Sequence, residues 1–141
     1  MIDLTDFGHK TGLVPRRILI IGGPRCGKTT YANQLGETLN VSVLHFDDFI
    51  DLSWSQLSEK IAAWLNEPGP WIMEGIQGVR GLRKWLRANP EALIPFEVHL
   101  VSVPKVKLTP GQESMYKACK TIFTEILPEL RKRDAKFAEV F

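Results

Sequence analysis

Short apolar runs alternate with longer stretches of helical periodicity along this chain. Each run is rich in aliphatic or aromatic side chains and is followed by glycine, proline or an acidic residue, a pattern typical of buried strands. The strands predicted on this basis cover residues 17–21, 41–46, 71–74 and 96–103.

Between these runs, apolar residues recur every three or four positions, as on the buried face of an amphipathic helix. This periodicity predicts helices over residues 28–40, 53–66, 78–88 and 113–133. Pro128 falls within the last helix and is expected to kink or end it, because proline removes a helical hydrogen bond. Strands that alternate with helices favour parallel pairing in one sheet. The sequence thus predicts an α/β fold, a three-layer parallel sheet of about four strands with helices on both faces.

The length and composition indicate one globular domain. The chain has 141 residues, of which 44% are hydrophobic and 24% charged, enough apolar material for a sizeable core. We take residues 1–141 as a single domain, in which residues 1–15 form an irregular N-terminal arm without a clear hydrophobic period. The formal net charge of +2 is too small an excess to indicate a dedicated nucleic-acid binder.

Cysteine usage and the lack of long apolar stretches predict a cytoplasmic protein. Cys26 and Cys119 are the two cysteines, and a disulfide at Cys26 would obstruct a glycine-rich segment. We therefore expect two free thiols and a reducing compartment. The N-terminus lacks a signal-peptide apolar run, and no stretch approaches the roughly 18 apolar residues of a membrane span.

The segment between the first predicted strand and the first predicted helix carries the strongest chemical signal. Residues 22–29 have the sequence Gly-Gly-Pro-Arg-Cys-Gly-Lys-Thr and match G-x-x-x-x-G-K-[ST] at every position. Glycines let backbone N–H groups approach an anion closely, and the following helix presents its unpaired N–H groups to the same anion. Lys28 adds a positive charge for the β- and γ-phosphates, and the Thr29 hydroxyl can ligate Mg²⁺. The residues predicted to bind the nucleotide are Gly22, Gly23, Pro24, Arg25, Cys26, Gly27, Lys28, Thr29 and Thr30.

This segment resembles the phosphate loop of the P-loop nucleoside-triphosphate-binding superfamily. The resemblance implies a parallel sheet with the loop after its first strand, and it implies ATP and Mg²⁺ as ligands. The order of the predicted elements fits that expectation from residue 17 to about residue 130. A glycine turn that only capped the helix would have no use for Lys-Thr at this offset.

Three acidic residues lie at the carboxyl ends of predicted strands. Asp47 and Asp48 come after the second strand, and Glu74 ends the third. In open parallel sheets ligands bind at the carboxyl ends of the strands, so all three are expected to face the same crevice as Lys28. We assign Asp48 and Glu74, together with Thr29, to the metal, and Asp47 to the acceptor. The competing interpretation is a helix cap for the aspartates and an exposed turn for Glu74.

Two further segments resemble small kinases of this superfamily. Residues 45–49 (His-Phe-Asp-Asp-Phe) are similar to the Asp-bearing segment of nucleoside, nucleotide and shikimate-type kinases. Residues 71–75 (Trp-Ile-Met-Glu-Gly) are similar to the strand-Glu-Gly segment of uridine-kinase-like enzymes. The resemblance implies that Asp47 binds or deprotonates the acceptor and that Arg80 grips it. With Lys28, these are the predicted catalytic residues.

Other charged side chains carry weaker signals. Arg80, Arg83, Lys84 and Arg87 form a basic stripe along one face of the third predicted helix, and such a stripe is usually solvated. His45 lies inside a predicted strand and is expected to pack in the core.

The chain departs from the small-kinase pattern in two places. Those kinases have a fifth strand whose following loop contributes to the adenine pocket, whereas this chain is predicted to end with a helix. They also carry a lid with paired arginines after the fourth strand, where residues 104–111 offer two lysines. The identity of the acceptor, the choice between ATP and GTP, and the oligomeric state stay open.

The first functional hypothesis is a small ATP-dependent kinase acting on a nucleoside, a nucleotide or another small hydroxyl acceptor. The second is a nucleotide-dependent switch or ATPase subunit that acts on a protein or nucleic-acid partner through the basic stripe. Such a partner is not otherwise indicated. The motor Asp-Glu pair, the GTPase Asn-Lys-x-Asp segment and the transporter Leu-Ser-Gly-Gly-Gln signature are absent, which disfavours the motor, GTPase and transporter types. The third is a module that binds nucleotide without chemistry. No membrane partner is expected.

Overall fold

The computed structural model of the chain describes residues 15–140. Within this range five strands and four α-helices alternate along most of the chain. The strands are β1 Arg17–Ile21, β2 Val43–His45, β3 Trp71–Glu74, β4 Glu97–Val101 and β5 Lys136–Val140. The helices are α1 Lys28–Leu39, α2 Trp54–Trp64, α3 Gly78–Ala88 and α4 Pro110–Lys132, and a 3-10 helix, Phe46–Phe49, follows β2. The predicted N-terminal arm lies outside the described residues, apart from Pro15.

All five strands pair in parallel in one sheet with the order β2-β3-β1-β4-β5. β1 is central, since Leu19 is opposite Met73 of β3 on one side and Val98 of β4 on the other. The predicted α/β class with a parallel sheet is therefore confirmed. Because the strands are parallel, their carboxyl ends meet at one edge, and the segments after β1, β2, β3 and β4 all begin there.

Side chains of the central strand alternate between two apolar cores, one on each face of the sheet. Ile18 and Ile20 pack with Ala32 of α1 in the smaller core. Leu19 and Ile21 point to the opposite face and belong to the larger core, which α2, α3 and α4 cover. Helix residues of this larger core include Leu57, Ile61, Val79, Leu82, Ile122 and Ile126. The prediction of helices on both faces of the sheet is confirmed.

The prediction of about four strands, with a helix at the end of the chain, is wrong because β5 follows α4. After the helix, Asp134 takes a φ of 56°, and the Ala135 amide donates to the Leu130 carbonyl at 3.0 Å. This turn brings the chain back alongside β4 as the edge strand β5. Its residues are exposed except for the half-buried Val140. β5 therefore lacks the continuous apolar run from which the other strands were predicted.

α4 passes through Pro128, so of the two expected outcomes, a kink or an end of the helix, the end is wrong. Proline removes the hydrogen bond to the Thr124 carbonyl, but both residues are exposed and water can satisfy that carbonyl. The helix also begins earlier than predicted, because Thr109 and Gln112 form a capping box at its start. Neither α4 nor any other helix of the described residues is long and apolar enough to cross a membrane.

Candidate functional site

Residues 22–29, called the phosphate loop after the ligand predicted for them, join the carboxyl end of β1 to the first turn of α1 in a backbone conformation that favours glycine. Gly27 has a φ of 91°, and no side-chain hydrogen bond caps α1 there. Gly22 has a φ of 153°, and a Cβ at this position would lie 2.2 Å from the Val101 carbonyl oxygen. A side chain at Gly22 would thus strain the backbone and push β4 away. Among the described residues, no side chain caps the first N–H groups of α1, as an anion site requires.

A cavity of about 520 Å³ opens beside the phosphate loop, a volume typical of small-ligand sites. The loop is therefore not filled by its own side chains. Its walls come from the loop, the first turn of α1, the ends of β2 and β3 and the segment after β4. The predicted nucleotide-binding residues that line it are Pro24, Arg25, Gly27, Lys28, Thr29 and Thr30.

Lys28 is a largely buried cation at the centre of the site. Its side chain is 9% exposed, and Nζ donates to the Gly23 carbonyl at 2.5 Å. Burial lowers the pKa of Lys28, although the charges of Glu74 and Asp47 partly oppose this effect. A polyphosphate offers several charged acceptors in place of one carbonyl, so Lys28 would exchange its partner when such an anion binds.

Glu74 is 2% exposed at the end of β3 and accepts two hydrogen bonds on a single oxygen. The Thr29 hydroxyl donates to Glu74 Oε2 at 3.1 Å, and His45 Nδ1 lies 2.5 Å from the same atom. The expectation that His45 packs in the core is wrong, because β2 and β3 place it directly beside Glu74 with 26% of its side chain exposed. Thr29 and Glu74, both assigned to the metal from the sequence, are thus brought into contact.

Asp47 and Asp48 separate on the 3-10 helix, in which successive side chains point in different directions. Asp47 lines the cavity, and its charge reaches Lys28. Asp48 is exposed and does not line the cavity. The geometry therefore supports Asp47 as a site residue and gives no support to Asp48 as a metal ligand.

Three loop residues that were predicted to bind the nucleotide do not line the cavity. They pack against the rest of the protein. Gly22 lies against β4, and a Cβ on Gly23 would come within 2.6 Å of Tyr116. Cys26 is fully buried, and its Sγ lies 3.6 Å from the Pro24 carbonyl oxygen. Burial raises the pKa of the Cys26 thiol, so it is a neutral packing group. Both cysteines are free thiols, as expected.

Arg80 does not line the cavity. Its guanidinium carbon lies over the Trp54 ring at 5.0 Å from the centroid, a cation–π contact between α3 and α2. The structure therefore does not bring Arg80 together with Lys28 and Asp47, and its role toward an acceptor stays a prediction.

The rest of the basic stripe is partly exposed to solvent, as expected, and its side chains also pair with neighbouring helices. Arg83 and Arg87 of α3 lie 3.3 and 3.4 Å from the carboxylate of Glu125 on α4. Lys84 lies 3.7 Å from Glu59 of α2. The stripe connects α3 to the helices on either side of it.

The segment after β4 contributes site residues that the sequence analysis did not assign. Lys105 and Val106 line the cavity, as do Ile76 and Met115. The Lys105 amide donates to the Arg25 carbonyl at 2.8 Å, which ties this segment to the phosphate loop. The sequence pointed to Lys105 only through the two lysines of residues 104–111. It contained no signal for the apolar lining residues Ile76, Val106 and Met115.

The oxygen donors at the cavity fit a magnesium ion. Mg²⁺ prefers oxygen ligands and is usually held by one or two carboxylates together with substrate phosphates and water. Thr29, Glu74 and Asp47 supply a hydroxyl and two carboxylates at the same cavity. Across residues 15–140 no cluster of three or more His, Cys, Asp or Glu side chains could hold a metal. Phosphate oxygens and water would complete the coordination.

Comparisons with known proteins do not assign the chain to a family. No protein-family model matches the chain, and no curated protein matches it.

Proposed function

We propose that the chain is a P-loop-type kinase that binds Mg-ATP on the phosphate loop and transfers the γ-phosphoryl group to a small hydroxyl acceptor. The observation that carries the proposal is the meeting of Lys28, the Thr29–Glu74 pair and the glycine-dependent loop at one cavity. The position of the loop, between the central parallel strand β1 and α1, supports the same conclusion.

Binding of the triphosphate would use backbone and side-chain groups together. N–H groups of the loop and of the first turn of α1 would donate to the phosphate oxygens. Lys28 would leave the Gly23 carbonyl for the β- and γ-phosphates, and Lys105 would add a second cation from the segment after β4. Mg²⁺, held by Thr29 and Glu74 with Asp47 nearby, would neutralise part of the phosphate charge.

Asp47 is the group that we assign to the acceptor. It is exposed to the cavity, so its carboxylate can take the proton of the acceptor hydroxyl as that oxygen bonds to the γ-phosphorus. The bond from the γ-phosphorus to the oxygen that bridges it to the β-phosphorus breaks, and ADP leaves. Lys28 and the loop N–H groups stabilise the charge that develops during transfer.

The two other functional hypotheses have less support. A switch or ATPase subunit would use the basic stripe as its docking face, but that stripe forms ion pairs between helices. A module without chemistry was suggested by the missing fifth strand, and β5 removes that reason.

Titration calorimetry with ATP, with and without Mg²⁺, tests the binding step. We expect saturable binding that Mg²⁺ strengthens, and a smaller magnesium effect in Thr29→Val, which keeps the shape of the side chain and removes its hydroxyl. The absence of ATP binding would refute the proposal.

Measurement of ADP release tests the reaction. Release that requires an added hydroxyl compound supports the kinase, whereas steady release without an acceptor identifies an ATPase. Binding without any turnover identifies the module.

A further inference from the structure

Charges around the cavity are distributed unevenly along the carboxyl edge of the sheet. The cations Arg25, Lys28 and Lys105 come from the phosphate loop and from the segment after β4. The carboxylates of Asp47 and Glu74 come from the ends of β2 and β3. Because the strand order is β2-β3-β1-β4-β5, the cations lie on the β1–β4 side and the carboxylates on the β2–β3 side.

The cations nearest in sequence to the acidic side are engaged elsewhere. Arg80, which follows β3, lies over the Trp54 ring. The other three cations of the basic stripe form ion pairs with α2 and α4. In the part of the chain that the structure describes, the lysines and arginines that line the cavity thus all belong to its β1–β4 side.

From this separation of charge we infer that the acceptor is an uncharged or cationic hydroxyl compound, and that compounds carrying a phosphate or carboxylate near the hydroxyl are rejected. The inference rests on the proposed kinase function and narrows its acceptor class. The triphosphate would occupy the cationic side, and the acceptor would lie beside Asp47 on the acidic side, next to the magnesium ion held by Thr29 and Glu74.

Electrostatic repulsion on the acidic side is the reason that anionic acceptors are rejected and neutral ones accepted. An anionic acceptor beside Asp47 would meet a carboxylate whose nearest cations, Lys28 and the magnesium ion, are already engaged by the triphosphate, which is unfavourable. A neutral hydroxyl can instead donate to Asp47, and the apolar side chains of Ile76 and Met115 can contact the rest of the molecule.

A panel of matched acceptors tests the inference by turnover. Each neutral compound is compared with its anionic counterpart at saturating Mg-ATP: uridine with uridine 5′-monophosphate, adenosine with adenosine 5′-monophosphate, and shikimate methyl ester with shikimate. We expect the neutral member to have the larger kcat/KM by at least roughly tenfold, the ratio that corresponds to about 1.4 kcal/mol. A preference for the anionic members would overturn the inference.

Inorganic phosphate provides a readout that does not depend on turnover. With the loop saturated by Mg²⁺ and a non-hydrolysable ATP analogue, calorimetric titration with millimolar phosphate should detect no second anion site. Met115→Arg, which adds a cation to the cavity, should create one and so shows that the assay can detect it. A saturable phosphate site in the wild type overturns the inference and leaves the kinase proposal standing. Failure of the analogue to bind refutes both.

Discussion

The phosphate loop and the basic stripe of α3 are both prominent in the sequence, yet the tertiary structure uses them differently. The loop brings Lys28 to an open cavity, where its hydrogen-bond partner among the described residues is one carbonyl that an anion can replace. The stripe carries more positive charge, but each of its side chains contacts α2 or α4. A glycine motif carries backbone requirements that shape a site, whereas the role of a charged stripe depends on which partners the fold places beside it.

Gly22→Ala tests whether the loop requires a residue without a side chain at this position. We expect the largest effect from this substitution. The added Cβ would lie 2.2 Å from the Val101 carbonyl oxygen at a φ of 153°. Strain and overpacking together should lower the free energy of unfolding by about 4 kcal/mol, measured by urea denaturation. The control is Gly111→Ala, where a Cβ would meet nothing within 4 Å and a helical alanine should add up to about 1 kcal/mol. Equal effects at the two positions would contradict the close approach at Gly22.

Lys28→Ala tests whether the loop cation serves a ligand. Loss of a charge-assisted contact to the phosphates should weaken ATP binding by roughly a hundredfold, or about 3 kcal/mol, while the protein still unfolds cooperatively. Lys107→Ala, an exposed substitution with the same change of charge that does not line the cavity, should bind ATP nearly as well as the wild type. Similar losses in both variants would mean that net charge, rather than the loop, attracts the nucleotide.

The pH dependence of ATP binding gives a second test of whether Lys28 binds the nucleotide. Burial lowers the pKa of Lys28 in the free protein, and bound phosphates should raise it again. ATP affinity should therefore fall as pH rises through the lowered pKa, by at most about tenfold per pH unit, with proton uptake on binding. In the ligand-free protein the unfolded state binds more protons in that window, so the free energy of unfolding should rise with pH. Calorimetry in buffers of different ionisation enthalpy measures the uptake, which should vanish in Lys28→Ala.

Glu125→Gln tests the stripe and should have the smallest effect. Glu125 pairs with Arg83 and Arg87 at 3.3 and 3.4 Å, but it is about half exposed. Such exposed pairs contribute little, so we expect the free energy of unfolding to fall by roughly 0.5–1 kcal/mol, with ATP binding unchanged. Glu67→Gln is the control, an exposed glutamate without an ion pair to the described residues. A strong loss of ATP binding in Glu125→Gln would show that the stripe belongs to the site after all.

Much of the fold was predictable because local pattern decides local structure. The bounds of β3 and α3 match the prediction, since glycine and proline mark their ends and apolar periodicity marks their interiors. β5 was missed because an exposed edge strand needs only one paired side and no apolar run. The site residues likewise divide into those that local pattern predicted and those that depend on tertiary contacts. Lys28, Thr29, Asp47 and Glu74 were predicted and line one cavity, whereas Lys105 came from a segment whose position depends on its contact with Arg25.

The sequence by itself determined the phosphate loop, because its glycines, lysine and threonine act through backbone angles and spacing that neighbours along the chain supply. It also determined the acidic ends of β2 and β3, since parallel strands bring their carboxyl ends to one edge. Only the tertiary structure decided that His45 meets Glu74, that Asp47 rather than Asp48 lines the cavity, and that Arg80 lies on Trp54. Those outcomes depend on contacts between elements distant in sequence, and hydrophobic pattern and charge do not specify such contacts one by one.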